Sequence, residues 1–218
     1  MTMQNVIAID GPSASGKGTV AARVAAALGR AYLDSGALYR LTALYARQQH
    51  AEWTDETAVA RLAAALPAEF SGSRVLLDGA DVSETIRSEE IGMGASAVAA
   101  LPAVRAALLQ RQRDFLTEQG LVADGRDMAS IVFPDAELKI FLTATPQVRA
   151  ERRAKQLGLP CEGIEFERIL SDIQARDHAD RNRAAAPLRQ LPDALLLDTS
   201  ALSIEESVKK VLDWYQKK

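Results

Sequence analysis

Three groups of residues in this chain have the types and spacing to do chemistry. The first is Gly11-Pro12-Ser13-Ala14-Ser15-Gly16-Lys17-Gly18-Thr19. It fits the phosphate-cradling pattern G-x-x-x-x-G-K, in which backbone N–H groups converge on an anion and the lysine brings a mobile charge to the outer phosphates. The pattern asks for Ser or Thr after the lysine, as a hydroxyl that faces Mg²⁺. Gly18 stands there instead, and Thr19 follows. The magnesium-facing group is therefore expected from Thr19, from Ser15, or through water.

The second group is Asp124-Gly125-Arg126-Asp127, two acids and an arginine around a glycine. Such a cluster beside a buried strand is costly unless its charges have partners. The third lies in a helical pattern that starts at Ile164. Phe166, Ile169, Leu170 and Ile173 mark an apolar stripe, and the same stripe continues as Arg176, Asp177, Asp180 and Arg183. A helix that turns from apolar to charged without changing side is expected to leave the core and enter a polar cleft. Two further sets add positive charge. Arg40 stands about one turn into the helix that follows Asp34-Ser35-Gly36. Arg149, Arg152 and Arg153, with Arg176, bracket the loop 158–163 as a short flap. This is more positive charge than one nucleotide triphosphate needs. It suits a phosphoryl group in transit between two anionic ligands, where position and charge carry the catalysis.

The elements that must hold these groups alternate along the chain. Val6-Ile7-Ala8-Ile9-Asp10 reads as a buried strand that runs straight into the phosphate pattern. A helix over Lys17–Leu28 closes on Gly29. Ala31-Tyr32-Leu33-Asp34 is a short strand, followed by helices over 37–50 and from Thr54 (as N-cap) to Pro67. Residues 70–87 break the alternation. Arg74-Val75-Leu76-Leu77, the Asp78-Gly79 turn and Asp81-Val82-Ser83 predict an inserted hairpin. Helices over 89–100 and 102–119 follow. Strands at 121–124 and 138–142, a helix opened by Thr145-Pro146, the long helix from Ile164, a strand at 194–198 and a capping box at Ser203-Ile204-Glu205-Glu206 complete the pattern. Five short apolar strands separated by helices imply an α/β fold, a five-stranded parallel sheet covered by helices on both faces. Ligands are then expected beyond the carboxyl ends of the strands.

Composition excludes other classes. The 218 residues carry a net charge of −3, without the basic excess of a nucleic-acid binder. Cys161 is the one cysteine, which excludes an intrachain disulfide or a cysteine-cluster metal site. No signal-peptide pattern precedes the first strand and no apolar run approaches membrane-spanning length, so a cytoplasmic setting is the expectation.

The chain resembles the bacterial cytidylate kinases, within the P-loop nucleoside monophosphate kinases. The resemblance rests on Ile9-Asp10-Gly11-Pro12-Ser13-Ala14-Ser15-Gly16-Lys17-Gly18-Thr19, Leu33-Asp34-Ser35-Gly36-Ala37-Leu38-Tyr39-Arg40, Ala123-Asp124-Gly125-Arg126-Asp127-Met128, Val132-Phe133-Pro134-Asp135-Ala136 and Arg176-Asp177-His178-Ala179-Asp180-Arg181-Asn182-Arg183, in family order along nearly the whole chain. Lys-Gly-Thr is this family's form of the loop. The resemblance implies one P-loop kinase domain over 1–218. Within it fall an acceptor-binding subdomain at about 35–101, with an insertion at about 67–90, and a lid at about 152–176. It implies ATP with Mg²⁺ as donor and CMP or dCMP as acceptor, in pyrimidine nucleotide metabolism. Gly11 to Thr19 and Arg152 would bind ATP. Lys17, Arg126, Arg176 and Arg183 would be catalytic. Ser35, Tyr39, Arg40, Ser96, Arg105, Arg126, Asp127, Asp180 and Arg183 would bind CMP, with Ser96, Arg105 and Asp127 toward the cytosine. A monomer acting without nucleic acid or membrane is the expectation. Two rival readings share the loop: a P-loop kinase for another small acceptor, and a nucleotide-dependent switch. The absence of a guanine-reading Asn-Lys-x-Asp counts against a GTP switch.

Overall fold

The computed structural model describes residues 5–71 and 74–218. The chain divides into two compact units, one formed by residues 1–33 and 115–218 and the other by Asp34–Asp114.

The first unit holds the predicted sheet. Its strands are β1 (Val6–Asp10), β2 (Ala31–Asp34, whose last residue opens the second unit), β6 (Leu121–Gly125), β7 (Leu138–Thr143) and β8 (Leu195–Asp198), in the spatial order β2-β6-β1-β7-β8. β1 runs parallel to both β6 and β7, with Ile7 opposite Val122 and Leu138, and β7 runs parallel to β8. All five β1 residues are buried, which explains a continuous apolar run rather than an alternating one. Helices α1 (Lys17–Leu28), α6 (Pro146–Leu157), α7 (Ile164–Asn182) and α8 (Ile204–Gln216) belong to this unit. Val20, Val24 and Val211 pack with Ile7, Ile9, Ile140 and Leu142 in one core cluster. The predicted boundaries hold for α1, whose Gly29 cap has φ 63, and for α8, whose capping box between Ser203 and Glu206 is complete. The turn Met128–Val132 is a short π-helix that no periodicity announced.

The second unit contains α2 (Ser35–Gln48), α3 (Glu56–Ala64), α4 (Glu89–Ala99) and α5 (Pro102–Arg113), with an antiparallel sheet of β3 (Ala68–Ser71), β4 (Arg74–Leu77) and β5 (Ala80–Asp81). The expected hairpin is present as β4 and β5, and β3 is an additional strand. Gly72 and Ser73, inside that segment, lie outside the described residues. Three expectations are corrected. The second helix begins at Ser35, because the Asp34 side chain accepts from the Ala37 N–H and caps it directly after β2. The third is capped by Asp55, not Thr54. The fifth ends at Arg113 instead of continuing to 119. The chain then turns at Thr117–Gly120, where the Thr117 hydroxyl donates to the Gly120 carbonyl.

One glycine in this unit is a packing requirement. A Cβ on Gly94 of α4 would stand 2.5 Å from the Trp53 ring. The indole is held in place by its own bond to the Ala43 carbonyl at 2.9 Å. Gly94→Ala is expected to cost about 2 kcal/mol as overpacking, measured by urea unfolding followed through Trp53 emission. Unchanged stability would show that the indole is free to move.

Candidate functional site

The phosphate loop leaves β1 in the first unit. A Cβ on Gly11 would lie 1.9 Å from the Leu142 carbonyl oxygen, so only glycine lets the loop start against β7. Ala14 adopts a left-handed φ of 56, an uncommon conformation for a residue with a side chain. The Ser15 hydroxyl donates to the Pro12 carbonyl at 2.9 Å, and the Lys17 ammonium reaches back to the same carbonyl at 3.4 Å. α1 starts here with no side-chain cap. Its first N–H groups and the positive end of its dipole therefore converge on the loop. Among the described residues the buried Ser13 Oγ has no hydrogen-bond partner, a polar atom suited to a phosphate oxygen.

The structure explains Gly18. A Cβ there would stand 3.1 Å from Asp124 Oδ2 and 3.4 Å from the Tyr32 hydroxyl, which itself donates to Asp124 at 2.8 Å. The position expected to carry a hydroxyl is filled by the approach of a carboxylate at the end of β6. Ser15, whose buried hydroxyl is spent on Pro12, is a poor candidate for a metal. No group of three or more His, Cys, Asp or Glu side chains among the described residues could hold an ion. One buried carboxylate beside the loop and no protein cage is the donor set that suits Mg²⁺ carried on nucleotide phosphates and water.

Next to the loop, α6 and the segment after β8 enclose a cavity of ≈ 400 Å³ lined by Gly16, Thr19, Arg152, Thr199, Leu202 and Ile204, among others. That volume accommodates a nucleoside. Arg152, on its wall, donates to the Ser15 carbonyl at 3.1 Å and to the Thr199 carbonyl at 2.6 Å. Thr199, Leu202 and Ile204 carry no motif and sequence reasoning missed them. The signal available was position, since Thr199 directly follows a parallel strand.

Arg126, Asp127, Asp180 and Arg183 come together in the same unit. Arg126 Nε bonds Asp180 Oδ2 at 2.7 Å, and Arg183 lies 4.0 Å from both Asp127 and Asp180. Burial works against the Arg126 charge, but Asp180, with Asp124 and Asp10 behind it, holds its pKa above the usual guanidinium value. Arg176 is half-buried on α7, one residue before Asp177. The flap reading is corrected at Arg149. Its guanidinium is fully buried and bound to Asp177, the Ala144 carbonyl and the Ser13 carbonyl, so it brackets no ligand. The α7 stripe also behaves differently from the expectation. Asp177, about one turn after Ile173, stays buried because Arg149 neutralises it.

Asp10, the last residue of β1, is a site residue that the sequence reading passed over. Its two carboxylate oxygens accept from the Met128 and Ala129 N–H groups at 2.8 and 2.9 Å, which pins the turn after Arg126-Asp127. Burial raises its pKa from 3.8 to about 7. The two N–H bonds pull it down, the Asp127 charge pushes it up and Arg126 opposes. Between these two values the folded protein keeps a proton that the unfolded chain has released, so stability falls as pH rises from about 4 to about 7. The full effect is at most about 4 kcal/mol. Asp10→Asn removes this titration. The stability difference between variant and wild type, from urea unfolding at each pH, is expected to shift toward the variant across that window. A difference independent of pH would refute the assignment.

In the second unit, Tyr39 and Arg40 lie on α2, Ser96 on α4 and Arg105 on α5. The Arg105 guanidinium sits 5.7 Å from the Tyr39 ring centroid, within cation–π range, and donates to the Ala99 carbonyl. Arg40 donates to the Ile86 carbonyl at 2.6 Å. The Ser96 hydroxyl donates to the Gly92 carbonyl one turn back, and Ser35 is buried at the start of α2.

A parallel sheet with a phosphate loop at the exit of a central strand, an uncapped helix behind it and the ion-paired arginines Arg126 and Arg183 defines the class as a P-loop nucleotide-binding protein. The family model described as Cytidylate kinase matches residues 7–217. A cytidylate kinase of Neisseria gonorrhoeae is 76% identical over 217 residues, covering 100% of each chain. One of Chromobacterium violaceum is 63% identical over 98% of this chain and 96% of its own. The chain belongs to the cytidylate kinase family.

Proposed function

We propose that the chain transfers the γ-phosphoryl group of ATP to CMP and dCMP, giving ADP and CDP or dCDP, and so serves pyrimidine nucleotide metabolism. The observation that carries this reading is the phosphate loop and Arg126–Asp180 pair in a chain matched to the family over 7–217. The acceptor's phosphate oxygen is the nucleophile. It is already ionised at neutral pH, so no general base is needed, and the protein's task is position and charge. The loop Gly11 to Thr19 holds the ATP phosphates, and the cavity lined by Arg152, Thr199 and Leu202 takes the nucleoside. Lys17, Arg126, Arg176 and Arg183 hold the transferring and leaving charge. Mg²⁺ carried with ATP would neutralise phosphate charge, and Thr19 and Asp124 are the residues that would hold it, directly or through water. Ser35, Tyr39, Arg40, Ser96 and Arg105 of the second unit, with Asp127, Asp180 and Arg183, bind the acceptor. A carboxylate accepts from the cytosine amino group and an arginine donates to its ring acceptors. A monomer in a reducing, cytoplasmic setting fits the lone, exposed Cys161.

The test is a panel of nucleoside monophosphates with ATP and Mg²⁺. CMP and dCMP should turn over well above AMP, GMP and UMP. A preference for any other acceptor would overturn the assignment of the base.

A further inference from the structure

The buried pair Arg149–Asp177 is unused by the chemistry above. Arg149 is among the largest side chains buried completely, and Asp177 is 4% exposed. Arg149 Nη1 and Nη2 meet Asp177 Oδ1 and Oδ2 at 2.9 and 2.5 Å, a two-pronged bond between α6 and α7. The same guanidinium donates from Nη1 to the Ser13 carbonyl at 3.1 Å and from Nε to the Ala144 carbonyl at 3.0 Å.

As adhesive between two helices this pair is wasteful. The α6–α7 interface already has an apolar core of Ala150, Ala154, Phe166, Ile169 and Ile173. A buried ion pair stabilises no better than apolar residues of similar volume. The guanidinium does what an apolar pair does not, because it reaches past the interface into the phosphate loop. It binds the carbonyl of Ser13, the residue before the left-handed Ala14. On α7, Asp177 directly follows Arg176 and stands one turn before Asp180, the partner of Arg126. Fixing the Asp177 carboxylate fixes the rotation of α7, and with it the placement of Arg176, Asp180 and Arg183 relative to the loop.

We propose that Arg149 and Asp177 are positioning residues that lock the phosphate loop and the arginine-bearing helix α7 into one transfer-competent arrangement. The role in transfer rests on the kinase reading; the role in holding the loop does not. A displacement of reacting groups by 1 Å can cost about a hundredfold in rate, and the lost bond to a loop carbonyl about tenfold in affinity.

The experiment replaces both residues together, Arg149→Met with Asp177→Leu, so that no buried charge is left unpaired. Two quantities are read on the full chain: the Kd for ATP·Mg²⁺ without acceptor, by calorimetry, and kcat with CMP saturating. Urea unfolding is expected to remain cooperative with a midpoint near that of wild type. Kd should rise about tenfold and kcat should fall about a hundredfold. If both stay within twofold of wild type, the pair is only filling and the proposal fails. A wild-type chain that does not phosphorylate CMP would sink the kinase reading, while a raised Kd in the variant would still support the lock on the loop. Should the double variant lose cooperative unfolding, Arg149→Lys decides. It keeps a charge beside Asp177 but loses the fork that bonds Asp177 and the Ser13 carbonyl together, and the same two readouts apply.

Discussion

Lys17→Ala is expected to lower kcat by about a thousandfold, the scale of losing a positioned charge on a transferring group. CMP affinity should change by less than a factor of two. Lys17 opens α1 and its ammonium bends back to the Pro12 carbonyl, so it sits over the loop proposed to hold the outer phosphates. Truncation removes charge while leaving Gly11 against Leu142 and Ala14 in its left-handed turn, both of which depend on backbone. The proposed acceptor-binding residues are elsewhere in the chain. Steady-state kinetics together with CMP binding measured without ATP separates the two effects. A wild-type kcat would remove Lys17 from the transfer, and a matching loss of CMP affinity would show that the loop had collapsed.

Asp127→Ala is expected to lower kcat/KM for CMP by about a hundredfold while the KM for ATP stays within twofold. Asp127 is buried, its carboxylate lies 4.0 Å from Arg183, and the Met128–Val132 turn begins directly after it. A buried carboxylate that accepts from a ligand amino group contributes roughly 2–3 kcal/mol against a ligand without it. Asp127→Asn, equal in volume but weaker as an acceptor, should retain the fold and most of the defect. Equal losses toward ATP and CMP would show that Asp127 supports the turn and does not read the base.

Much of the fold was legible because its signals are local. β1 and its loop are adjacent residues, and caps such as Gly29 and Ser203 act within one turn. The boundary errors came from local caps and turns that competed with helix propensity, at Asp34, Asp55 and Thr117–Gly120. Helix propensity ran on past Arg113, but the Thr117–Gly120 turn ended it. The hairpin signal of Asp78-Gly79 was read, whereas β3, which pairs antiparallel with β4, was not. At the site, the arginines on α6 looked equivalent along the chain. One is buried against Asp177, and another lines the cavity beside the loop and binds the Thr199 carbonyl.

By itself the sequence determined the phosphate loop, the parallel α/β alternation, and the acidic–arginine turn at Asp124 to Asp127. These depend on residues that are neighbours in the chain. Only the tertiary structure decided why Gly18 replaces a hydroxyl, what Asp10 holds, and which arginine is structural. In each case the deciding partner is distant in sequence: Asp124 for Gly18, Met128 and Ala129 for Asp10, Asp177 for Arg149. A buried charge must be matched by whatever group the fold brings within bonding distance, and spacing along the chain does not carry that information.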